Sequence, residues 1–191
     1  MSRDKRDVLI EFLVIQTQSG NPKAIGQLAE LFQQDLVAYA FRLVGNVHTA
    51  RDVVQEAWLS VLKTIGRLQD PAAFRSWVFR IVHNKSMDCL RYVVRERVEL
   101  EGLGRSMAAN RDTEPAEEDS ELVNIQRLID ALPPAERALL VLYYDNELSI
   151  REIAAITSNS ESATKSRLYQ IRQKLKLSLS KLERQNHDRE E

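Results

Sequence analysis

The side chains whose types and spacing best suit ligand binding lie in one segment near the C-terminus. Lysine and arginine there can pair with phosphates, while serine, tyrosine and glutamine can hydrogen-bond base edges in a DNA major groove. From Ser149 to Arg184 the chain has eight Lys or Arg against three Asp or Glu, although its total net charge is only -1. Such a local excess is expected of a nucleic-acid contact surface. The candidate contacts are Ser162, Lys165, Ser166, Arg167, Tyr169, Gln170 and Arg172.

Two short helices must position these side chains. Ser149 and Glu152 have the spacing of a capping box, so a first helix is predicted to start at Ser149. After a polar turn at residues 157–159, Ser160 is predicted to cap a second helix. The pattern predicts a helix-turn-helix, although a surface hairpin with solvated cations is an alternative from this segment alone. Apolar residues recur at helical spacing on one face of each helix, at Ile150, Ile153, Ala154 and Ile156 and at Leu168, Ile171 and Leu175.

A second cationic surface is predicted on a long helix in the first half of the chain. Asp70 and Pro71 have the order of an N-cap and a first-turn proline, so a helix is expected from there to about Arg95. Between Arg75 and Arg97 lie six cations and two acids. An ordinary solvated face would also be charged, but two separate basic helices in a nearly neutral chain favour a protein that contacts DNA at two sites. One exposed ridge of this helix would carry Arg80, Asn84, Asp88, Arg91 and Arg95.

The helix before it is predicted to run from about Thr49 to Ile65 and has an unusual outer face. Residues spaced by three and four positions combine two acids, an amide and a leucine, namely Asp52, Gln55, Glu56 and Leu59. Single exposed leucines are common, so this face alone is compatible with simple solvation. The expected inward positions of this helix are Val54, Trp58, Val61, Leu62 and Ile65. An earlier helix is predicted from Asn21 and Pro22 to about Gly45, with inward positions Ile25, Leu28, Phe32, Leu36, Tyr39 and Leu43.

Composition favours an all-α protein made of two small helical domains. The 191 residues are 43% hydrophobic, 29% charged and only 6% aromatic, with few alternating β-branched runs. Residues 98–121 are acidic with little apolar content, which predicts a flexible linker between domains at residues 1–97 and 122–185. The second domain should contain a helix from about Leu122 to Leu132 and another from Ala135 to Tyr144 before the helix-turn-helix. Residues 186–191 are expected to be a disordered tail.

Several functional classes are disfavoured by what the sequence lacks. No apolar run is long enough to span a bilayer, and the N-terminal residues lack the apolar core of a signal peptide, so we expect a cytoplasmic protein without membrane insertion. The single cysteine, Cys89, is interpreted as a helix-packing residue rather than a redox sensor. The three histidines lack metal-ligand spacing, and no glycine-rich phosphate loop or nucleophile motif is present. We therefore expect no metal, no cofactor and no enzymatic activity.

Three segments of the chain resemble the extracytoplasmic-function (ECF) sigma factors of bacterial RNA polymerase. LVGNVHTARDVVQEAWLSVL is similar to conserved region two of these proteins, and FRSWVFRIVHNKSMDCLR is similar to their promoter-reading helix. LPPAERALLVLYYDNELSIREIAAI with TKSRLYQIRQKL resembles region four. The order and spacing of these segments are more specific than a lone helix-turn-helix. The resemblance implies a sigma factor that binds core RNA polymerase, directs it to promoter DNA and is regulated by an anti-sigma factor.

The resemblance also implies a role for each surface. The face at Asp52, Gln55, Glu56 and Leu59 would bind the coiled coil of the polymerase largest subunit, which gives its acid-and-leucine pattern a purpose. The loop at residues 65–73 and the helix after it would recognise the minus-ten element and hold an extruded base. The helix-turn-helix would enter the major groove of the minus-thirty-five element through the contacts named above. The residues implied for the minus-ten element are Arg67, Arg80, Asn84, Lys85, Asp88, Arg91 and Arg95.

Three features depart from the pattern of this family. Its members usually have Leu-Gly-Ile at the turn, where this chain has Thr157, Ser158 and Asn159, and valine where it has Thr164. Because a glycine at such a turn commonly adopts a left-handed conformation, Ser158 or Asn159 is expected to hold a strained backbone. Gln170 stands where a basic residue is common, which should weaken phosphate contact while adding base readout.

A stand-alone transcriptional regulator is the strongest rival function. Such a protein would use only the C-terminal helix-turn-helix and would dimerise through the N-terminal helices. Basic charge does not exclude it, but a dimerisation domain has no need of a second cationic ridge. Co-purification with core RNA polymerase is the observation that separates the two functions.

Overall fold

The computed structural model describes residues 5–102 and 121–190, and their side chains at 5–96 and 125–181. All regular structure in these ranges is helical, which confirms the predicted all-α class with two small domains. The helices are α1 (Lys5–Gln18), α2 (Pro22–Val44), α3 (Val47–Thr64), α4 (Phe74–Gly102), α5 (Glu121–Asp130), α6 (Pro134–Leu140), α7 (Ile150–Thr157) and α8 (Glu161–Glu190). The chain divides into two compact units, the first built from α1 to α4 and the second from α5, α6, most of α7, and α8.

The first unit is held together by the apolar face of α2. Asn21 caps this helix by accepting a hydrogen bond from the backbone N–H of Lys23, and Gly45 ends it in a left-handed conformation with φ 75°. Most of the predicted inward positions of α2 are buried. The rings of Phe32 and Phe74 meet edge to face with centres 5.5 Å apart, which joins α2 to the start of α4. Helix α2 thereby packs against α1, α3 and α4.

Helix α1 is the element that the sequence patterns do not predict. Three of its apolar residues are buried against the unit, while four others are exposed on the opposite side. The buried ones are Ile10, Leu13 and Val14, and the exposed ones are Val8, Leu9, Phe12 and Ile15. Helical periodicity is detectable only when apolar residues concentrate on one face, so an element that is apolar all round escapes pattern analysis.

Three boundaries and one inward position in the first unit correct the sequence prediction. Helix α4 begins at Phe74, after a separate 3-10 turn at Pro71–Ala73, and not at Pro71. Helix α3 begins directly after its cap at Asn46, ahead of the predicted start at Thr49. Leu62 is predicted to face inward, but 53% of it is exposed, because small residues and valines give α3 a narrow buried face. Helix α4 continues to Gly102 and not only to Arg95, since the apolar pattern marks packing and ends before the helix does. Residue 97, the predicted domain boundary, therefore lies inside a helix.

A buried polar pair joins α2 to α4. The Tyr39 hydroxyl and His83 Nδ1 lie 2.8 Å apart. Burial raises the pKa of Tyr39, so its hydroxyl keeps the proton, and the tautomer of the imidazole sets which of the two groups donates the hydrogen bond. The same burial lowers the pKa of His83 below its ordinary value of 6.5. Both groups are therefore neutral in the folded protein near pH 7.

The stability of the first unit should fall as the pH drops below about 6.5. In the unfolded chain His83 takes up a proton in that range, whereas the buried imidazole stays neutral until its lowered pKa is reached. The expected loss is at most about 1.4 kcal/mol per pH unit. Urea unfolding followed by the fluorescence of Trp58 and Trp77, at about pH 7.5 and about pH 5.5, measures it. The variant His83→Gln should lose this dependence, whereas His48→Gln, at an exposed histidine, should retain it.

The predicted caps of the helix-turn-helix are present in the second unit. Ser149 and Glu152 form the capping box that opens α7, and the Ser160 hydroxyl accepts a hydrogen bond from the backbone N–H of Ala163 at the start of α8. Most of the predicted inward residues of both helices are buried. Thr164 is buried as well, and its hydroxyl donates to the carbonyl of Ser160 at 2.9 Å. Threonine therefore replaces the usual valine without leaving a polar atom unpaired.

A buried arginine of α6 binds the C-terminal end of α5 in the second unit. Arg137 is only 5% exposed, and its guanidinium donates to the carbonyl oxygens of Asp130 at 2.5 Å and Leu132 at 3.0 Å. These carbonyls lie at the end of α5 and in the following turn, where backbone acceptors lack helical donors. Helix α5 ends at Asp130, before the two prolines, as predicted. The helix predicted to follow is divided into α6 and a π-helical segment at Val141–Asp145.

Helix α8 extends beyond the predicted end of the second domain. It runs to Glu190 and so includes residues 186–190, where the sequence analysis expects a disordered tail. Glutamate and arginine, which occur in this segment, are good helix formers even without packing. The predicted linker begins within α4, and its residues 103–120 lie outside the described part of the chain.

Substitution of Ser158 by glycine should stabilise the second unit. Ser158 ends α7 with φ 55° and ψ 38°, a left-handed conformation that costs a residue with a side chain about 1 kcal/mol. Ser158→Gly removes this cost, whereas Asn159→Gly, at a position without positive φ, should lower the stability. Hydrogen exchange of buried amides in α7 and α8 of the full chain measures both changes. If Ser158→Gly does not slow this exchange, the turn is not strained at that residue.

Candidate protein and nucleic-acid interfaces

The outer face of α3 brings the predicted protein-binding residues together. Asp52, Gln55, Glu56 and Leu59 are all exposed, and 52% of Leu59 is open to solvent. We call these four residues the acidic stripe. Leu62, which is also exposed, extends its apolar part. Carboxylates beside exposed leucines suit a partner surface that has both basic and apolar groups.

An open groove between α2 and α3 adjoins the acidic stripe, and the sequence patterns do not reveal it. Its walls include the apolar side chains of Val37, Phe41 and Trp58, and it shares Gln55 with the acidic stripe. The indole Nε1 of Trp58, on α3, donates to the side-chain oxygen of Gln33, on α2, at 2.9 Å. This hydrogen bond fixes the indole ring against α2. The groove depends on which faces of two helices meet, so no single-helix pattern could have indicated it. It enlarges the surface open to a protein partner.

Five predicted DNA contacts form one line along α4. Arg80, Asn84, Asp88, Arg91 and Arg95 are all exposed at helical spacing, and we call this line the basic ridge. Asp88 forms an ion pair with Arg91, so its negative charge is compensated within the ridge. The ridge keeps a net positive charge. Guanidinium groups aligned along one helix can follow a phosphate backbone.

Lys85 lies apart from the basic ridge, although the sequence places it in the same set. It follows Asn84 directly, and consecutive residues of an α-helix are turned by about 100° from one another. Its side chain reaches α3 instead, where Nζ lies 3.2 Å from Oε2 of Glu56 in the acidic stripe. One ion pair thereby links a predicted DNA contact to a predicted protein contact.

The loop between α3 and α4 contains two 3-10 turns and is braced from α1. Arg67 is exposed in this loop, and Asp70 caps its second turn. The side-chain amide of Gln18 donates to the carbonyls of Ile65 and Leu68, at 2.9 and 2.8 Å. Sequence reasoning missed Gln18, because these contacts join residues 47 and 50 positions apart and carry no local pattern. The loop conformation therefore depends on a side chain of another helix.

Replacing Gln18 should loosen this loop. Gln18→Leu keeps most of the side-chain volume but removes both hydrogen bonds, so the Leu68 carbonyl loses this donor while the Ile65 carbonyl keeps the backbone N–H of Leu68. Amide hydrogen exchange at residues 65–70 should quicken by about fivefold, the equivalent of about 1 kcal/mol, while exchange in the core of α2 stays unchanged. Gln27→Leu, at an exposed position of α2, is the matched control and should leave the loop as it is. Equal exchange in both variants would mean that Gln18 does not hold the loop.

The predicted recognition residues of α8 divide between two sides of the helix. Lys165 and Arg167 are two positions apart, which turns them roughly 200° from each other. Arg167 and Gln170 line a small pocket against the start of α6, which Glu136 also lines. The outward side, which we call the recognition face, carries Ser162, Lys165, Ser166 and Tyr169, all of them exposed.

Arg172 is engaged with two aromatic rings beside the recognition face. Its guanidinium carbon lies 5.0 Å from the centre of the Tyr143 ring and 5.4 Å from that of Tyr144, and both tyrosines belong to the π-helical segment. Two residues further along α8, Lys174 forms an ion pair with Glu136 at 2.9 Å. These contacts tie α8 to the segments before the helix-turn-helix. The sequence analysis assigns Arg172 to DNA and gives no sign of the tyrosine contacts.

Comparison with known proteins relates both units to the same family. Residues 28–96 match the family model of Sigma-70 region 2, and residues 122–175 match that of Sigma-70, region 4. The acidic stripe and the basic ridge fall within the first range, and the recognition face falls within the second. Together the two matches cover nearly two thirds of the chain.

Relatives of known class extend this similarity along most of the chain. The ECF RNA polymerase sigma factor SigW of Bacillus subtilis is 29% identical over 186 residues, which are 92% of this chain and 100% of that protein. The ECF RNA polymerase sigma factor SigE of Mycolicibacterium smegmatis is 33% identical over 169 residues, which are 85% of this chain and 65% of SigE.

Two solved structures are similar in fold. The structure of CnrH in complex with the cytosolic domain of CnrY has a TM-score of 0.66 at 26% identity, and the match covers 90% of this chain and 97% of CnrH. The sigma factor RpoE from Bartonella quintana, solved in complex with the anti-sigma factor NepR, has a TM-score of 0.69 at 22% identity. That match covers 83% of this chain and 98% of RpoE.

Region 2 followed by region 4, each folded as a helical unit, defines a sigma-70 type of protein. The chain belongs to the ECF sigma factors of bacterial RNA polymerase. This confirms the resemblance found in the sequence. Within the two described ranges, no helix combines the length and apolar character needed to cross a lipid bilayer.

Proposed function

We propose that this sigma factor binds core RNA polymerase through the acidic stripe and directs it to promoters through two DNA-binding surfaces. The observation that carries the proposal is the combination, in one chain, of an exposed acid-and-leucine stripe with a cationic surface on each unit. A stand-alone regulator would need neither the stripe nor the basic ridge. The rival function is therefore not favoured.

The first domain, residues 1–97, supplies the polymerase contact. Asp52 and Glu56 offer carboxylates to basic groups of the coiled coil in the polymerase largest subunit. Leu59 packs against the apolar part of the same coiled coil. The groove between α2 and α3 adds apolar area next to the stripe, with Trp58 held in place by Gln33. A half-buried aromatic side chain in an open groove can serve as the anchor of a protein interface.

The same domain recognises the minus-ten element. Arginines of the basic ridge follow the phosphates of the melting strand, while Asn84 and Asp88 offer an amide and a carboxylate to base edges. The loop with Arg67, which Gln18 braces, forms one wall of the pocket for an extruded base. A braced loop suits this task because a preorganised pocket loses less entropy when the base enters.

The second domain, residues 122–185, binds the minus-thirty-five element. The recognition face enters the major groove, where Lys165 pairs with a phosphate and Ser166 and Tyr169 reach base edges. Arg167 and Gln170 lie on the side of α8 that is nearer α6. There they contact the DNA backbone at the edge of the major groove. Arg172 holds the helix against the tyrosine pair and contributes less to DNA than the sequence implies.

The remaining expectations follow from this function. An anti-sigma factor binds the protein and withholds it from polymerase, as a second protein chain accompanies CnrH in its solved structure. Residues 98–121 link the two domains. The protein acts in the cytoplasm, where the polymerase transcribes the chromosome, and it contributes recognition rather than catalysis. No cofactor or metal has a part in these steps.

Co-elution with core RNA polymerase tests the proposal against the rival regulator. In size-exclusion chromatography the full chain, mixed with purified core enzyme, should elute with the polymerase and should run as a monomer by itself. A chain that runs as a dimer and never co-elutes with core polymerase would be a stand-alone regulator instead.

A further inference from the structure

One residue pair joins the acidic stripe on α3 to the DNA-reading helix α4. Lys85 Nζ and Glu56 Oε2 lie 3.2 Å apart, between residues separated by 29 positions in the sequence. The side chain of Lys85 is 27% exposed and that of Glu56 is 67% exposed. The lysine is thus mostly covered and directed at the acid, while the outer side of the acid remains open to a partner.

The thiol of Cys89 on α4 is also affected by the charge of the Glu56 carboxylate. Cys89 lies one turn after Lys85. Its pKa is raised mainly by burial and to a smaller extent by the negative charge of Glu56. The Glu56 carboxylate therefore lies along the side of α4 and holds Lys85 at that side. The basic ridge occupies a different side of the helix, about 100° away at Asn84. Lys85 is consequently withheld from the line of arginines that would meet DNA.

We propose that Glu56 sequesters Lys85 in the free protein and that a cationic polymerase surface bound at the acidic stripe releases Lys85 to a DNA phosphate. This inference rests on the proposed function, which assigns polymerase to the stripe and DNA to α4. A guanidinium group of the partner competes well for a carboxylate because it can bind both oxygens at once. The flexible side chain of Lys85 then turns toward the basic ridge. Holoenzyme formation thereby adds a phosphate contact that the free protein lacks.

The strength of the pair suits such an exchange. An exposed ion pair shifts an equilibrium by only about two- to fivefold, so a partner with several charges can displace it. One phosphate contact, in turn, changes the slope of log affinity against log salt by about 0.7 for single-stranded DNA and about 0.9 for duplex DNA. Both quantities are measurable with the full chain.

Binding of the free protein to single-stranded DNA tests the sequestration. The probe is a fluorescein-labelled strand of about 20 nucleotides of mixed sequence, and the readout is fluorescence anisotropy at several salt concentrations. Glu56→Gln should bind about two- to fivefold more tightly than the unmodified chain and should steepen the salt slope by about 0.7. Asp52→Asn removes one charge from the same stripe but leaves the ion pair intact, so it measures the effect of net charge alone.

A double variant ties the effect to Lys85. In a chain that already carries Lys85→Ala, Glu56→Gln should change the affinity no more than Asp52→Asn does. Equal effects of Glu56→Gln and Asp52→Asn in the chain with Lys85 would overturn the proposal, and so would a gain that persists without the lysine. Circular dichroism of each variant verifies that the helices are retained.

The holoenzyme tests the release. With core polymerase bound, Lys85→Ala should lower the salt slope for promoter duplex by about 0.9, although it leaves the slope of the free protein unchanged. The same loss in both states would mean that Lys85 contacts DNA without any release and would overturn the inference. A failure of the proposed function can be told apart from a failure of this inference. It would appear as normal core binding after charge reversal in the acidic stripe, whatever the DNA titrations show.

Discussion

Reversing both charges of the acidic stripe, Asp52→Arg with Glu56→Arg, should abolish binding to core RNA polymerase. Both side chains are exposed on α3, opposite Val54 and Val61 in the core, so the helix should tolerate the change. Like charges placed against a basic partner cost several kcal/mol at an interface. A loss of about 3 kcal/mol corresponds to roughly a 100-fold weaker affinity, which a pull-down with purified core enzyme detects.

A variant with the same change in net charge separates the surface from simple electrostatics. Asp7→Arg with Glu161→Arg reverses two exposed acids outside the acidic stripe and should leave core binding intact. The far-UV circular-dichroism spectrum and the fluorescence of Trp58 should match the unmodified chain in both cases. Full core binding by the stripe variant, with a normal spectrum, would reject this surface.

Alanine substitutions on α8 should distinguish its two sides. Lys165 lies on the recognition face, whereas Arg167 lines the pocket near Glu136. Lys165→Ala should weaken binding to a minus-thirty-five duplex by about tenfold and lower the salt slope by about 0.9, as expected for one lost phosphate contact. Arg167→Ala should have the smaller effect on both. Anisotropy titrations of the full chain against labelled promoter duplex at several salt concentrations give the two values.

The exposed Lys181, near the end of α8, supplies the control for lost charge. Lys181→Ala removes the same charge as Lys165→Ala. It should leave the preference for the minus-thirty-five sequence unchanged and should alter the affinity only slightly. A larger loss for Arg167→Ala than for Lys165→Ala would place the other side of α8 in the groove. The recognition face would then have to be redrawn around Arg167 and Gln170.

Four helix caps of this protein could be read from the sequence because their signals are local. Asn21, Asp70, Ser149 and Ser160 each accept a hydrogen bond from a backbone N–H two or three residues later. Such a bond depends only on neighbours in the chain, so the residue type and its place before an apolar pattern suffice to predict it. The strained turn was also anticipated, although only the structure selects Ser158 over Asn159.

The contacts that organise the candidate sites could not be read in the same way. Gln18 reaches the loop carbonyls, Lys85 reaches Glu56, and Arg172 reaches the tyrosine pair, each across 28 or more positions of sequence. These contacts depend on how helices are placed in space, and a single sequence carries no periodic trace of them. The two sides of α8 were likewise hidden, since the residues of the predicted set are all polar and exposed. Helical geometry separates them once the buried face is fixed.

Run-off transcription with purified core RNA polymerase tests the central claim most directly. Core enzyme together with this chain should produce discrete transcripts from a small subset of genomic DNA fragments, and neither component alone should do so. The stripe variant Asp52→Arg with Glu56→Arg should restore the pattern of core enzyme alone. Transcripts that do not change when the chain is added, from a preparation that still binds DNA, would contradict the account and identify a DNA-binding protein that is not acting as a sigma factor.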